Sequence, residues 1–150
     1  MIEFINWRSE MFDFFGLCKR SNKTKVLVVD DEPNIVQTLK DRLEMNDYTV
    51  VTACNGEEGL RLAQQESPDL ILLDVIMPIM DGHETLEELR RQDWGRDISV
   101  IMLTARSQAQ DIARARACDI EDYIIKPFDL SELLEKIESI IERKKSTVSA

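Results

Sequence analysis

The chain has one histidine, His83, in 150 residues. That scarcity argues against a multi-histidine metal centre and against a nucleophilic triad built on histidine. Cysteine is also sparse. Cys18, Cys54 and Cys118 are an odd number without metal-ligand spacing, so they read as reduced thiols of a cytoplasmic protein. No stretch is long and apolar enough to span a bilayer, and the N-terminus lacks the uninterrupted apolar core of a secretory signal. Positive charge is short as well: 19 Lys and Arg stand against 29 Asp and Glu, a formal net charge of −10. A folded body of that sign repels phosphate backbones, which argues against nucleic acid as a partner.

The length suits one domain, and an apolar content of 43% is enough for an ordinary core. Four apolar runs stand out: Val26-Leu27-Val28-Val29, Leu70-Ile71-Leu72-Leu73, Val100-Ile101-Met102-Leu103 and Tyr123-Ile124-Ile125. Near-continuous runs of this length read as buried strands of a parallel sheet. A further strand, about 48–53, carries Tyr48-Thr49-Val50-Val51. Helical spacing lies between the strands. It shows in Ile35, Val36, Leu39 and Leu43 after Pro33, in Leu60 and Ala63 after Asn55, and in Leu86 and Leu89 after Gly82. The segment after Thr104 is weakly patterned, with Ile112 its one large apolar residue. The last helix, capped by Asp129, carries a stripe from Leu130 to Ile141 and closes on Arg143, Lys144 and Lys145, which suit the negative end of the helix dipole. Five βα repeats with right-handed crossovers give a doubly wound α/β fold with a parallel sheet.

Each of the four runs ends on a polar residue: Asp30 and Asp31, Asp74, Thr104, and Lys126. The carboxyl ends of parallel strands line the crevice where open α/β sheets bind ligands. Taken singly, these residues read as helix caps, turn residues or a solvated lysine. Together they bring three carboxylates, a hydroxyl and an ammonium to one edge. Gathered carboxylates suit a hard divalent cation such as Mg²⁺, with Asp30 or Asp31 and Asp74 as ligands. A free carboxylate can attack phosphorus and form an aspartyl-phosphate. Lys126 and the Thr104 hydroxyl would then stabilise the transferred group.

The segments VLVVDDEPN (26–34), LILLDVIMPIMDG (70–82), VIMLTA (100–105) and DYIIKPF (122–128), in that order and spacing, resemble the receiver domain of bacterial two-component response regulators, of the chemotaxis-regulator type. The resemblance covers about 25–145. It implies a flavodoxin-like sheet in the order 2-1-3-4-5, Asp74 as phosphoacceptor, and Asp30 and Asp31 holding Mg²⁺ together with Asp74 and the backbone carbonyl of Ile76. It also implies Thr104 and Tyr123 as switch residues, Lys126 as the phosphoryl contact, and a cis Lys126–Pro127 peptide. The implied donor is a histidine kinase, and the signal leaves through the fourth helix, fifth strand and fifth helix toward a downstream protein partner. Asp119 stands where the family usually has glycine, which puts that turn in doubt. Ile76 and Arg106 occupy variable positions beside the site. They are expected either to restrict hydrolytic water and lengthen the phosphorylated state, or to point to solvent.

The expected boundaries are an aromatic-rich extension (1–24), a receiver (25–145) and a short tail (146–150). The extension holds Phe4, Trp7, Phe12, Phe14 and Phe15, five of the nine aromatics in the chain. Phe4, Trp7, Met11, Phe14 and Cys18 recur at helical spacing. An apolar stripe of that size calls for a partner. Packing on its own domain or on a protein, including a second copy in a homodimer, is favoured over a membrane contact through residues 1–20. With so short a tail the expectation is a stand-alone regulator that undergoes self-phosphorylation and autodephosphorylation but is not a turnover enzyme. Its alternatives are a phosphorelay intermediate feeding a histidine phosphotransfer protein and a binding module that works without phosphorylation. A Mg²⁺-dependent phosphohydrolase is disfavoured because Ile76, two past Asp74, supplies no general acid.

Overall fold

In the computed structural model, which describes residues 23–149, strands and helices alternate in the expected order. They are β1 (Lys25–Val29), α1 (Pro33–Met45), β2 (Thr49–Ala53), α2 (Gly56–Glu66), β3 (Leu70–Leu73), α3 (Gly82–Arg91), β4 (Ser99–Thr104), α4 (Ala109–Arg116), β5 (Asp122–Ile125) and α5 (Leu130–Ser149), with one 3-10 turn at Asp93–Gly95. All strand pairs are parallel and the order is β2-β1-β3-β4-β5. This is the doubly wound, flavodoxin-like arrangement. The aromatic stripe of the N-terminal extension lies outside the described residues. Among the described residues no helix is long and apolar enough to cross a membrane.

The period-2 alternation of the strands divides the core in two. Leu27, Val29, Ile71, Leu73, Val100 and Met102 face Ala63 of α2, Leu86 and Leu89 of α3, and Ala115 of α4. Val26, Val28, Leu70, Leu72, Ile101 and Leu103 face Leu39 and Leu43 of α1 and Leu133, Ile137, Ile140 and Ile141 of α5. Strands buried on both faces explain why these runs are apolar throughout instead of alternating with polar residues. The helices start where capping chemistry is available. The Asn55 side chain accepts from the Glu58 N–H, Asp81 from Glu84, and Asp129 from Ser131 and Glu132.

Two features differ from the sequence reading. The last helix does not close at 143–145: α5 continues to Ser149, with the Ser146 and Thr147 hydroxyls bonded back to the carbonyls four residues earlier. The expected short tail, 146–150, is therefore helical through Ser149. The turn after α4 does keep a left-handed backbone, with φ 63° at Asp119, although aspartate replaces the more permissive glycine.

Arg90 of α3 accounts for that turn. Its guanidinium donates to the carbonyls of Cys118 (2.8 Å) and Asp119 (2.9 Å) after α4, and to those of Gly95 (2.7 Å), Arg96 (3.2 Å) and Ile98 (2.9 Å) before β4. One planar fork thus satisfies carbonyls from two loops that have no ladder partner. Replacing Arg90 with Met leaves these carbonyls without that donor. The expected loss is about 2–4 kcal/mol in urea unfolding, and Arg90→Lys should recover only part of it because an ammonium lacks the fork.

Candidate functional site

The ladder hydrogen bonds run past the strand ends and place the polar residues. The Asp30 N–H donates to the Ala53 carbonyl (3.1 Å), Asp74 to Val29 (3.0 Å) and Lys126 to Thr104 (2.9 Å). Asp30, Asp74, Thr104 and Lys126 therefore stand at the same, carboxyl, edge of the sheet. Each acceptor then folds back on its own loop. Asp30 Oδ1 accepts from the Glu32 N–H, Asp74 Oδ1 from Ile76, and Thr104 Oγ1 from Arg106. These i to i+2 bonds fix one oxygen of each group.

The other carboxylate oxygens converge on the ammonium of Lys126. Its Nζ lies 2.8 Å from Asp30 Oδ2, 3.2 Å from Asp74 Oδ2 and 3.3 Å from Glu32 Oε1. Asp30 and Asp74 are only 3% and 4% exposed, while Asp31 is open to solvent. Burial pushes the Asp30 carboxyl above its ordinary pKa, and the neighbouring Asp74 charge adds to this. The bonds to Lys126 and to the Glu32 amide offset only part of the effect. Burial works to lower the Lys126 pKa, but the bond and charge of Asp30 and the charge of Asp74 outweigh it and hold the ammonium above its ordinary value.

Oxygens of Asp30, Asp31 and Asp74 all lie within 4.8 Å of one another. A hard-oxygen donor set with two buried members, one already resisting ionisation, fits a small divalent cation such as Mg²⁺. The loop after β3 is shaped to leave this edge open. A Cβ on Gly82 would come within 2.1 Å of the Asp74 carbonyl oxygen, so only glycine lets α3 begin so close to the acceptor. Ile79 has φ 72° and sits under a 2.7 Å bond from the Met80 N–H to the Pro78 carbonyl. That is a γ-turn of the rare positive-φ kind, strained for a β-branched residue.

Thr104 is fully buried. Tyr123 is buried too, and its hydroxyl donates to the Arg106 carbonyl at 2.8 Å. The two expected switch residues thus grip one peptide segment between them. Ile76 is 50% exposed and Arg106 is exposed, which favours the solvent-facing alternative for this pair. The Lys126–Pro127 peptide is cis.

Sequence reasoning missed a buried pair beside this edge. His83 Nε2, on the first turn of α3, lies 3.2 Å from Asp111 Oδ1 on α4. Both residues are at least nine-tenths buried. No periodicity signals such a pair, because its partners are 28 residues apart on different helices.

The sequence profile of the response regulator receiver domain matches residues 26–138. A probable transcriptional regulator, ycf27, of Cyanophora paradoxa is 45% identical over 122 residues, covering 81% of this chain and 50% of the relative. The chain spans about half the length of the curated relatives it matches. Among solved structures, the Vibrio cholerae chemotaxis protein CheY4 superposes with TM-score 0.74 at 32% identity, covering 79% of this chain and 98% of that one. The CheY of a Borrelia burgdorferi CheX–CheY–BeF3–Mg complex does so with TM-score 0.73 at 27% identity, covering 79% and 89%.

The raised Asp30 pKa has a signed consequence. The folded state holds this proton more tightly than the unfolded chain. Asp30 therefore favours folding below the unfolded carboxyl value, and that contribution is lost as pH rises through the raised folded value. At neutral pH without divalent cation, Asp30→Asn should stabilise the domain by about 1 kcal/mol in urea unfolding. The wild type should also be stabilised by Mg²⁺ more than the variant. A less stable variant in cation-free buffer would contradict the assignment of Asp30 as a crowded carboxylate.

Proposed function

The chain belongs to the response regulator receiver domain family, and from that premise we propose that it accepts a phosphoryl group on Asp74 from a phosphohistidine of a histidine kinase. The observation that carries this reading is the convergence of Asp30, Asp31 and Asp74 oxygens beside the one ammonium of Lys126. Asp74 Oδ1 is occupied by the Ile76 amide, and Oδ2 faces Lys126, so Oδ2 is the attacking oxygen. The O–P bond forms as the N–P bond to imidazole breaks, and the released imidazole takes up a proton. Lys126 already lies 3.2 Å from the attacking oxygen and stays charged throughout, ready to bind the phosphoryl oxygens. Asp30, Asp31, Asp74 and the Ile76 carbonyl would hold Mg²⁺, which when bound neutralises phosphoryl oxygen charge. The Mg in the Borrelia complex supports that cofactor.

The new dianion replaces a monoanion beside Thr104. A hydroxyl donor drawn toward it gives up its bond from the Arg106 amide, and the same segment carries the carbonyl that holds Tyr123. Phosphorylation thereby biases the segment before α4 and the face formed by α4, β5 and α5. That face carries ion pairs of Lys136 and Arg116 with Asp122 and of Arg143 with Glu121, which a repacking would rearrange. The chemistry is a single loading and discharge rather than substrate turnover, because the position two past Asp74 is Ile76. We place the domain in the cytoplasm. Its downstream partner is a protein in the stand-alone reading, or a histidine phosphotransfer protein in a relay. The transcriptional-regulator name of its longer relatives favours a second reading, in which the receiver controls a DNA-binding output.

Intact mass after incubation with acetyl phosphate tests the acceptor chemistry. Wild type should gain one phosphoryl group in the presence of Mg²⁺ and none with chelator. Lys126→Met should fold but load at least about ten-fold more slowly. Equal loading with chelator would remove the cation from the account.

A further inference from the structure

A groove among the described residues lies at the opposite end of the sheet from Asp74. It is about 410 Å³ in volume and runs between the loop after α1 and the middle of α5, from Leu134 to Lys145. Tyr48, Leu134 and Ile141 give it apolar walls, and Asp47, Glu138 and Glu142 supply three carboxylates. Burial, then the charges of Glu138 and Glu142, raise the Tyr48 pKa, and all three residues line the groove. The groove is also where the described chain begins: Lys23 and Thr24 are part of its lining.

We propose that this groove and the α5 surface beside it bind the aromatic segment of the same chain, residues 4–18, covering Trp7 as well as Phe14 and Phe15, with Lys19 and Arg20 set against Glu138 and Glu142. Three observations favour that occupant. Continuity is the first: Phe15 lies eight residues before Lys23, a span of at most about 27 Å, so the tether holds the rings at an effective concentration in the millimolar range. Charge is the second: the groove's three carboxylates outnumber its two cations, Lys23 and Lys145, and the residues joining stripe to groove carry Lys19 and Arg20. The third is supply and demand of apolar surface. Five aromatic residues precede the domain, and the groove offers Tyr48, Leu134 and Ile141 beside their point of entry. A segment seated there would lie against α5, one of the elements of the output face, and would tie that helix to the end of α1.

Acrylamide quenching of Trp7 fluorescence tests this, with the full chain in a Trp94→Phe background and Trp7→Phe as blank. The expected result is a monomer whose Trp7 quenching constant is about three-fold lower than in the Glu138→Lys/Glu142→Lys variant. Both altered positions are exposed, so the variant should fold, and unchanged far-UV circular dichroism and unfolding midpoint verify it. A Trp7 as accessible as a free indole in the monomer would overturn the proposal, as would shielding that charge reversal leaves intact. Shielding only at concentrations where the chain dimerises would assign the stripe to a second copy. Shielding only with phosphatidylglycerol vesicles would assign it to a lipid surface. Either outcome also overturns it.

Discussion

The ammonium of Lys126 reaches carboxylates that the sheet order sets far from its own strand. Asp30 follows β1 and Lys126 follows β5, three strand spacings away across β3 and β4, or about 14 Å on a flat sheet. Only a long cationic side chain meeting an aspartate arm can close that gap. It closes here at 2.8 Å to Asp30 and 3.2 Å to Asp74. Without that charge the edge would hold two buried carboxylates and a third close by, an arrangement that burial and mutual repulsion oppose. The site is therefore electrostatically poised. One fixed cation leaves negative charge in excess, which a divalent metal would offset; a phosphoryl group would add further negative charge for that metal and Lys126 to balance.

The scaffold follows from this requirement. Parallel strands put their carboxyl ends on one edge, and the switch in strand order places β1 beside β3, so that Asp30 and Asp74 are neighbours. Gly82 lets α3 start against the Asp74 carbonyl. The two-sided core holds the strands rigid under the site, while the loops above it carry the strained Ile79 turn and the Arg106 segment. Rigid strands with adaptable loops suit a switch, because a change of charge at Asp74 must move something without unfolding the sheet.

Much of this was legible in the sequence. Fully buried strands have an unbroken apolar run, and each run here ends on the polar residue that the site uses. The order of the segments around Asp30, Asp74, Thr104 and Lys126 carried the fold and the candidate constellation together. Other features carry no such signal. Arg90 works on backbone carbonyls, which every residue has, so nothing in the loops it holds marks them. The His83–Asp111 pair joins two helices through side chains that periodicity treats as polar surface. Asp119 looked like a break in the pattern, but the turn is kept by a donor from α3, not by the residue in it. The last turn of α5 was missed because Arg143, Lys144 and Lys145 resemble a helix end, yet Ser and Thr hydroxyls bonded to carbonyls four residues back extend it.

The proposed phosphoryl chemistry requires an acyl phosphate on Asp74 and on no other carboxylate of the cluster. Borohydride reduces an acyl phosphate to an alcohol, so an aspartyl-phosphate is read out as homoserine in a peptide map. After loading with acetyl phosphate and Mg²⁺, homoserine is expected at position 74 alone, lost when the phosphoryl group is discharged before reduction. Homoserine at position 30 or 31, or none in a chain that carries the phosphoryl mass, would contradict it.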